Sequence, residues 1–340
     1  MTIPATPDLP TPPSPIKATI DFTADGVQHG FLRLPYSRDD SAWGSVMIPI
    51  AVIRRGEGPT ALLIGGNHGD EYEGPIALYD LARNLRAEDV SGRVIIIPAL
   101  NYPALAVGTR TSPIDRGNLN RSFPGRADGT FTEKIADYVT RYLLPRADIV
   151  LDFHSGGRTL EFLPYAAAHA LDDKKQEDAC FAAVAAFGAP YSMRMREIDP
   201  VGMLDTVAEN MGKVFMTTEL AGGGTATARS ISIAKRGVRN VLKHAGICKG
   251  EIESRPTQWL DMPSDECFGF AFEDGLVEQL LDLGDPVRKG DVVALINPIK
   301  RTGGAPFEYR AAVDGVVAAR HFPGLIKTGD CLAVIATVGT

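Results

Sequence analysis

The sequence of 340 residues has few cysteines, no long hydrophobic run and no excess of positive charge. Its four cysteines are Cys180, Cys248, Cys267 and Cys331, and no two of them have C-x-x-C spacing. This argues against a disulfide framework or a thiolate zinc site and favours a cytoplasmic location. No run of about eighteen apolar residues occurs, which argues against a membrane-spanning helix. The formal net charge of −7 argues against nucleic-acid and anionic-membrane partners, because both attract a basic surface.

The chain divides into three segments by composition. Residues 1–16 are rich in proline and lack the basic start and apolar centre of a signal peptide, which predicts a disordered leader. Residues 17–250 contain apolar runs that alternate with amphipathic stretches, as expected of a catalytic domain. A change of composition near Lys249–Pro263 indicates a linker. Residues 251–340 carry short apolar runs separated by Gly-Asp turns, which predict a small all-β domain.

Apolar runs in the middle segment predict a largely parallel sheet. The runs are Pro59–Gly65, Arg93–Leu100, Ala147–Phe153 and Val214–Leu220, and the helix-like stretches are Pro75–Leu85, Thr132–Leu144 and Ala226–Ala245. Buried strands that alternate with helices are typical of an α/β fold in which helices cover both faces of a mostly parallel sheet. Ligands bind beyond the carboxyl ends of the strands in such folds. We therefore expect functional residues directly after these runs.

Two histidines and a glutamate lie at the ends of two runs. His68 and Glu71 follow the first run, and His154 follows the third. Two imidazoles and one carboxylate are a common ligand set for a catalytic zinc ion whose fourth position holds water. The strand-end placement favours this interpretation over surface or structural roles. Asp152, two residues before His154, is either a partner of a metal ligand or a buried structural aspartate.

The other two runs are followed by a glutamate and by arginines. Glu219 ends the fourth run and precedes three glycines. Because burying a carboxylate is costly, a general base for metal-bound water is favoured over a turn residue. Arg110, Arg116 and Arg121 follow the second run. Arginines bind carboxylates and stabilise oxyanions, so this loop is either an anion-binding site or a solvated basic loop.

The motifs HGDE, NLNR, DFHSGG and TTELAGGG, in this order, resemble those of the succinylglutamate desuccinylase/aspartoacylase family, a branch of the zinc carboxypeptidase superfamily. The resemblance covers about residues 45–335. It implies a zinc-carboxypeptidase-like α/β fold and one zinc ion per chain, with His68, Glu71 and His154 as ligands. Glu219 matches the general base and acid of the family.

The same resemblance assigns roles to residues of the NLNR region. Asn120 and Arg121 match the pair that holds the free carboxylate of the substrate. Arg110 matches the arginine that stabilises the oxyanion, with Arg116 as a rival because the stretch between Arg110 and Arg121 is longer here than in aspartoacylases.

The implied activity is hydrolysis of the amide bond of a small N-acyl amino acid. The motifs NLNRSFPG and DFHSGG are most similar to those of the ectoine-utilisation branch, whose substrate is Nα-acetyl-L-2,4-diaminobutyrate. The alternatives are a deacylase of the N-acetylaspartate or N-succinylglutamate type, a zinc carboxypeptidase and a non-catalytic binding module. A homo-oligomer is compatible with the sequence.

The last segment is similar to the barrel-sandwich hybrid fold of biotinyl and lipoyl carriers, in GDPVRKGD and AAVDGVV. Lys300 lacks the sequence that surrounds a modified carrier lysine. We therefore interpret this segment as a cap that narrows the catalytic cleft.

Overall fold

The computed structural model describes residues 12–196 and 199–339. Residues 1–11 of the predicted leader lie outside this range. At the other end of the leader, Ile16 is buried in the core together with Leu32 and Leu34. The carbonyl oxygen of Pro12 accepts a hydrogen bond of 3.2 Å from Nη2 of Arg141. The chain is therefore already packed against the fold before residue 17.

The first three quarters of the chain contain strands and all the α-helices of the described residues. The strands are β1 (Lys17–Ala18), β2 (Gly26–Pro35), β3 (Ser45–Arg55), β4 (Thr60–Ile64), β5 (Gly92–Ile97), β6 (Ile149–His154), β7 (Leu160–Phe162), β8 (Tyr165–His169), β9 (Tyr191–Met195) and β10 (Val214–Glu219). The α-helices are α1 (Glu73–Asn84), α2 (Tyr102–Val107), α3 (Phe131–Tyr138), α4 (Lys174–Phe187), α5 (Leu204–Asn210) and α6 (Ala228–His244). A π-helical turn, Val139–Leu143, continues α3, and Leu119–Arg121 forms a short 3₁₀ turn.

One large mixed sheet forms the centre of the molecule. Its central strands have the order β3-β5-β4-β6-β10-β8-β9. Strands β5, β4, β6 and β10 are parallel neighbours, and β8 is antiparallel to β10. The predicted α/β fold with a mostly parallel centre is therefore confirmed. None of the α-helices in the described parts of the chain has the length and apolar character needed to cross a membrane.

Strand β4 shows why the sequence of a central strand is continuously apolar. Ala61 and Leu63 pack in a core cluster with residues of α1, α4 and α6. Leu62 and Ile64 pack on the opposite face with residues of α3 and α5. Because helices cover both faces, successive side chains are all buried whichever way they point.

The rest of the chain is built from short strands. They are β11 (Gln258–Asp261), β12 (Phe268–Phe270), β13 (Gly275–Gln279), β14 (Pro286–Val287), β15 (Val292–Asn297), β16 (Phe307–Arg310), β17 (Gly315–His321), β18 (Leu325–Ile326) and β19 (Cys331–Val338). Strands β16, β15, β13 and β18 form a separate antiparallel sheet, which confirms the predicted small β unit. No α-helix lies between residues 245 and 339.

The β unit is joined to the large sheet by main-chain pairing. Strand β11 is parallel to β9 and antiparallel to β19, and β7 is antiparallel to β17. The stretch Lys249–Pro263 is therefore not only a linker, because its residues Gln258–Asp261 form a strand of the large sheet. This pairing holds the C-terminal strands beside the carboxyl end of β10.

Candidate active site

The carboxyl ends of β4, β6 and β10 lie side by side. Because the strands are parallel neighbours, Asp152 is opposite Ile64, and Glu219 is opposite His154. The loop after β4 turns back closely over α2 at Gly69. A Cβ atom at this position would lie 2.0 Å from the carbonyl carbon of Ala104, which is closer than real Cβ atoms come. A glycine is therefore needed for the loop to carry His68 to this edge.

The structure brings the three predicted metal ligands together. Nδ1 of His68 is 2.8 Å from Oε1 of Glu71, and Nδ1 of His154 is 3.0 Å from Oε2 of the same carboxylate. One donor atom from each residue lies within 4.8 Å of the others. All three side chains are at least nine-tenths buried. Two imidazole nitrogens and one carboxylate oxygen at this separation suit a divalent cation such as zinc.

The outer nitrogens of both imidazoles are held by neighbouring side chains. Nε2 of His154 is 2.8 Å from Oδ2 of Asp152, and Nε2 of His68 is 3.2 Å from Oδ1 of Asn118. These contacts orient both rings with Nδ1 towards Glu71. Of the two roles left open for Asp152, the structure therefore favours the partner of a ligand. Sequence reasoning missed Asn118, although it lies in the NLNR motif.

The ionisation of the cluster follows from burial and from close charges. Burial lowers the pKa of His68 and keeps this imidazole neutral. Burial alone would raise the pKa of Glu71, but the two histidines lower it below its usual range. Burial likewise opposes the charged form of His154, yet the carboxylates of Asp152 and Glu71 raise its pKa well above the usual value. An anionic carboxylate between two imidazoles is a donor set that a cation would stabilise.

A single cavity collects every side chain that the sequence assigned to the site. This cavity has a volume of about 160 Å³ and is lined by His68, Glu71, Arg110, Asn120, Arg121, His154 and Glu219, among others. An adjoining cavity of about 240 Å³ shares Glu219 and has a mainly apolar wall that includes Phe268 and Phe270 of β12. The C-terminal strands therefore contribute to the cleft beside Glu219.

Glu219 has an unpaired oxygen in this cavity. Its Oε2 atom is buried and has no hydrogen-bond partner within residues 12–196 and 199–339. Burial raises the pKa of Glu219 to about 8, and the negative charge of Glu71 adds to this effect. A carboxyl group in this state beside a metal site is suited to exchange a proton with water.

The arginines that follow α2 lie in different environments. Nη1 of Arg110 lies 3.4 Å from Oε1 of Glu71. Arg116, in contrast, is exposed, does not line the cavity and adopts a positive φ of 60° in a turn. Arg121 lines the cavity, where its Nη1 donates to the carbonyl oxygen of Asn120 at 2.8 Å and its Nε lies 3.4 Å from Oδ2 of Asp199.

Comparisons with known proteins show which family and which solved structures the chain is similar to. A family model described as the succinylglutamate desuccinylase/aspartoacylase catalytic domain matches residues 57–245. The N-alpha-acetyl-L-2,4-diaminobutyric acid deacetylase of Halomonas elongata is 57% identical over 328 residues, which are 96% of each protein. The product-bound structure of the ectoine utilization protein EutE (DoeB) from Ruegeria pomeroyi is 63% identical, with a TM-score of 0.94 over 96% of this chain and 99% of that one. A succinylglutamate desuccinylase/aspartoacylase structure from Rhodobacter sphaeroides is 39% identical, with a TM-score of 0.92 over 96% of this chain and 100% of that one.

Proposed function

The chain belongs to the succinylglutamate desuccinylase/aspartoacylase family of amidohydrolases, and we propose that it is a zinc-dependent deacetylase of Nα-acetyl-L-2,4-diaminobutyrate in ectoine degradation. The observation that carries the proposal is the convergence of His68, Glu71 and His154 beside the unpaired carboxyl group of Glu219. High identity over nearly the whole length of the Halomonas deacetylase supports the substrate. All four cysteines are free thiols, which suits the cytoplasm.

Each of the cavity residues has its own role in the proposed reaction. A zinc ion held by His68, Glu71 and His154 would supply Lewis-acid activation of water and of the acyl carbonyl. Glu219 accepts a proton from the attacking water and returns it to the departing amine. Arg110, next to Glu71, stabilises the negative charge that develops on the carbonyl oxygen.

The amino-acid end of the substrate is held on the other side of the cavity. Asn120 and Arg121 bind its free carboxylate, and Arg121 provides two parallel donors for this purpose. On substrate binding, the carboxylate would replace Asp199 as the partner of Arg121. Fixing this end places the amide within reach of the nucleophile.

The size of the cleft favours a small substrate over a peptide. The cavity of about 160 Å³ is smaller than an ordinary ligand pocket of about 300–1,000 Å³. The C-terminal strands wall the adjoining space with Phe268 and Phe270. The two spaces together suit a short acyl group and one amino acid better than a peptide chain, which disfavours the carboxypeptidase alternative.

A substrate panel on zinc-free and zinc-reconstituted protein tests the proposal. We expect the zinc-loaded protein to release acetate from Nα-acetyl-L-2,4-diaminobutyrate faster than acyl groups from N-acetylaspartate, N-succinylglutamate or a blocked dipeptide. Glu219→Gln should retain zinc and lower kcat by about 10²–10⁴-fold. Hydrolysis of the dipeptide alone would reject a deacetylase, and near-normal turnover in Glu219→Gln would reject the role of Glu219.

Alanine variants of Arg110 and Arg116 form a test and its control for the oxyanion role. Arg110→Ala should lower kcat by about 10²–10³-fold, because a donor to the developing oxyanion is lost. Arg116→Ala removes the same charge from the same loop outside the cavity and should leave kcat within about twofold. Equal losses in both variants would show that the net charge of the loop matters and the position does not.

A further inference from the structure

The proposed substrate carries a positive charge, and none of the residues assigned to substrate binding neutralises it. Nα-acetyl-L-2,4-diaminobutyrate has a free primary amine at the end of its side chain, which is an ammonium group at neutral pH. Bringing an ammonium into a buried site is costly unless an anion accepts its hydrogen bonds. The assigned substrate-binding groups, Arg110, Asn120 and Arg121, are donors and cations that suit only the carboxylate and the carbonyl.

Four carboxylates line the cavity in the described part of the chain, and three of them have other contacts or tasks. They are Glu71, Asp152, Asp205 and Glu219. Glu71 contacts both histidines, and Asp152 holds His154. Glu219 is the proposed base. Asp205 remains without an assigned task.

Asp205 is placed next to the residues that hold the substrate carboxylate. It is the second residue of α5, and the N–H of the preceding Leu204 donates to Oδ1 of Asn120 at 3.0 Å. This bond fixes the start of α5 relative to the NLNR motif. A molecule whose carboxylate lies on Asn120 and Arg121 would therefore extend its side chain along a rigid wall that contains Asp205.

One oxygen of Asp205 accepts hydrogen bonds from the next residue, and the other has no hydrogen bond within residues 12–196 and 199–339. Oδ1 accepts hydrogen bonds from the backbone N–H of Thr206 at 2.5 Å and from its hydroxyl at 3.2 Å. No lysine or arginine that the structure describes forms an ion pair with Asp205, although its side chain is only 5% exposed.

The nearest cationic candidate is His169, whose charge acts on Asp205 from a distance and opposes the effect of burial on the pKa of Asp205. His169 lies with its Nδ1 3.0 Å from Oε1 of Glu209, one turn further along α5, and it does not line this cavity. In the described part of the chain, Asp205 is therefore a buried carboxylate that lines the substrate cavity and has no direct contact with a lysine, arginine or histidine.

We infer that Asp205 is a specificity-determining residue that binds the side-chain ammonium of the substrate, an inference that rests on the proposed function. The α-carboxylate would be held by Asn120 and Arg121, and the ammonium by the adjacent start of α5. A carboxylate at this point also repels acidic side chains. It therefore selects against N-acetylaspartate as well as for a diamino acid.

The test compares two substrates that differ only in the amine. Nα-acetyl-L-2-aminobutyrate has a hydrogen where the diaminobutyrate derivative carries its side-chain nitrogen. Asp205→Asn keeps the shape and the Oδ1 acceptor for Thr206 but removes the charge. We expect kcat/KM for the diamino substrate to fall by about 30-fold or more, mainly through KM, because a buried ammonium loses its counter-ion. For the aminobutyrate substrate, kcat/KM should stay the same or rise.

The ratio of the two kcat/KM values separates recognition from structural damage. A structural role for Asp205 would lower both values together and leave the ratio unchanged, which would overturn the inference while the proposed function stands. Failure of the unmodified protein to hydrolyse the diamino substrate would instead overturn both. Asp205→Ser, whose hydroxyl can still accept from Thr206, should lower the ratio in the same way if the asparagine variant folds poorly.

Discussion

Replacing Asp152 with asparagine removes a negative charge behind His154 and leaves the shape of the side chain intact. Oδ2 of Asp152 accepts both contacts, from Nε2 of His154 at 2.8 Å and from Nδ2 of Asn67 at 3.0 Å. Oδ1 is buried and has no hydrogen-bond partner in the described residues. An asparagine can therefore keep its carbonyl oxygen at the Oδ2 position and place its amide nitrogen at the Oδ1 position. The variant changes the charge and not the geometry.

The expected loss follows from the position of this carboxylate. Removing a side chain that holds a ligating histidine typically weakens metal binding by about 10–100-fold, or about 1.4–2.7 kcal/mol. Asp152 is buried, so solvent ions screen its charge little. We therefore expect Asp152→Asn to bind zinc about 10–100-fold more weakly than the unmodified protein at the same pH.

Asn118→Ala is the matched control, because it removes the neutral contact of 3.2 Å to the other histidine, His68. Its loss of zinc affinity should stay below about tenfold, since a hydrogen bond to a charged group is about twice as strong as a neutral one. Zinc affinity is measured by competition with a chromophoric chelator on metal-free protein. KM is not used, because the side chain of Asn118 also accepts a hydrogen bond from the N–H of Asn120. Unchanged affinity in Asp152→Asn, or a larger loss in Asn118→Ala, would refute the reasoning.

Two further predictions concern the start of α1, next to the site. Burial raises the pKa of Glu73 to about 7 from 4.5, so the folded chain holds this proton to higher pH than the unfolded chain, and stability falls as the pH rises between these values. The free energy of unfolding of Glu73→Gln, measured with urea on metal-free protein, should therefore equal that of the unmodified protein near pH 4.5 and exceed it by up to about 3 kcal/mol at pH 8. A difference that does not change with pH would contradict this origin. A Cβ at Gly74 would lie 2.2 Å from Cβ of Phe153. Gly74→Ala should therefore lower the free energy of unfolding by about 1–3 kcal/mol, despite the better helix propensity of alanine. At Gly324 the nearest atom would be 3.7 Å away, so Gly324→Ala should stay within about 0.5 kcal/mol in the same assay, and equal losses at both positions would argue against crowding.

The amino-acid sequence by itself determined the central strands and most of the chemistry at their ends. A strand covered on both faces must be apolar at every position, so runs such as Pro59–Gly65 are recognisable without any structure. A histidine or a glutamate at the end of such a run is conspicuous, because it interrupts an apolar pattern. His68, His154 and Glu219 were identified in this way, and the family motifs added Asn120 and assigned Arg121 to the substrate carboxylate.

Only the tertiary structure decided which side chains meet around these residues. The resemblance matched Arg110 to the oxyanion arginine and left Arg116 as a rival, and in the folded chain only Arg110 lies next to Glu71. The sequence likewise gives no sign that Asn118 contacts His68 or that Asp205 lines the cavity, because both depend on how distant segments pack.

The pairing of β11 with β9 has the same physical origin. Gln258 pairs with Tyr191, and such pairing depends on how the intervening chain folds and not on local periodicity. Hydrophobic patterning therefore specifies which segments are buried, whereas the close packing of those segments specifies which polar atoms come within hydrogen-bond distance.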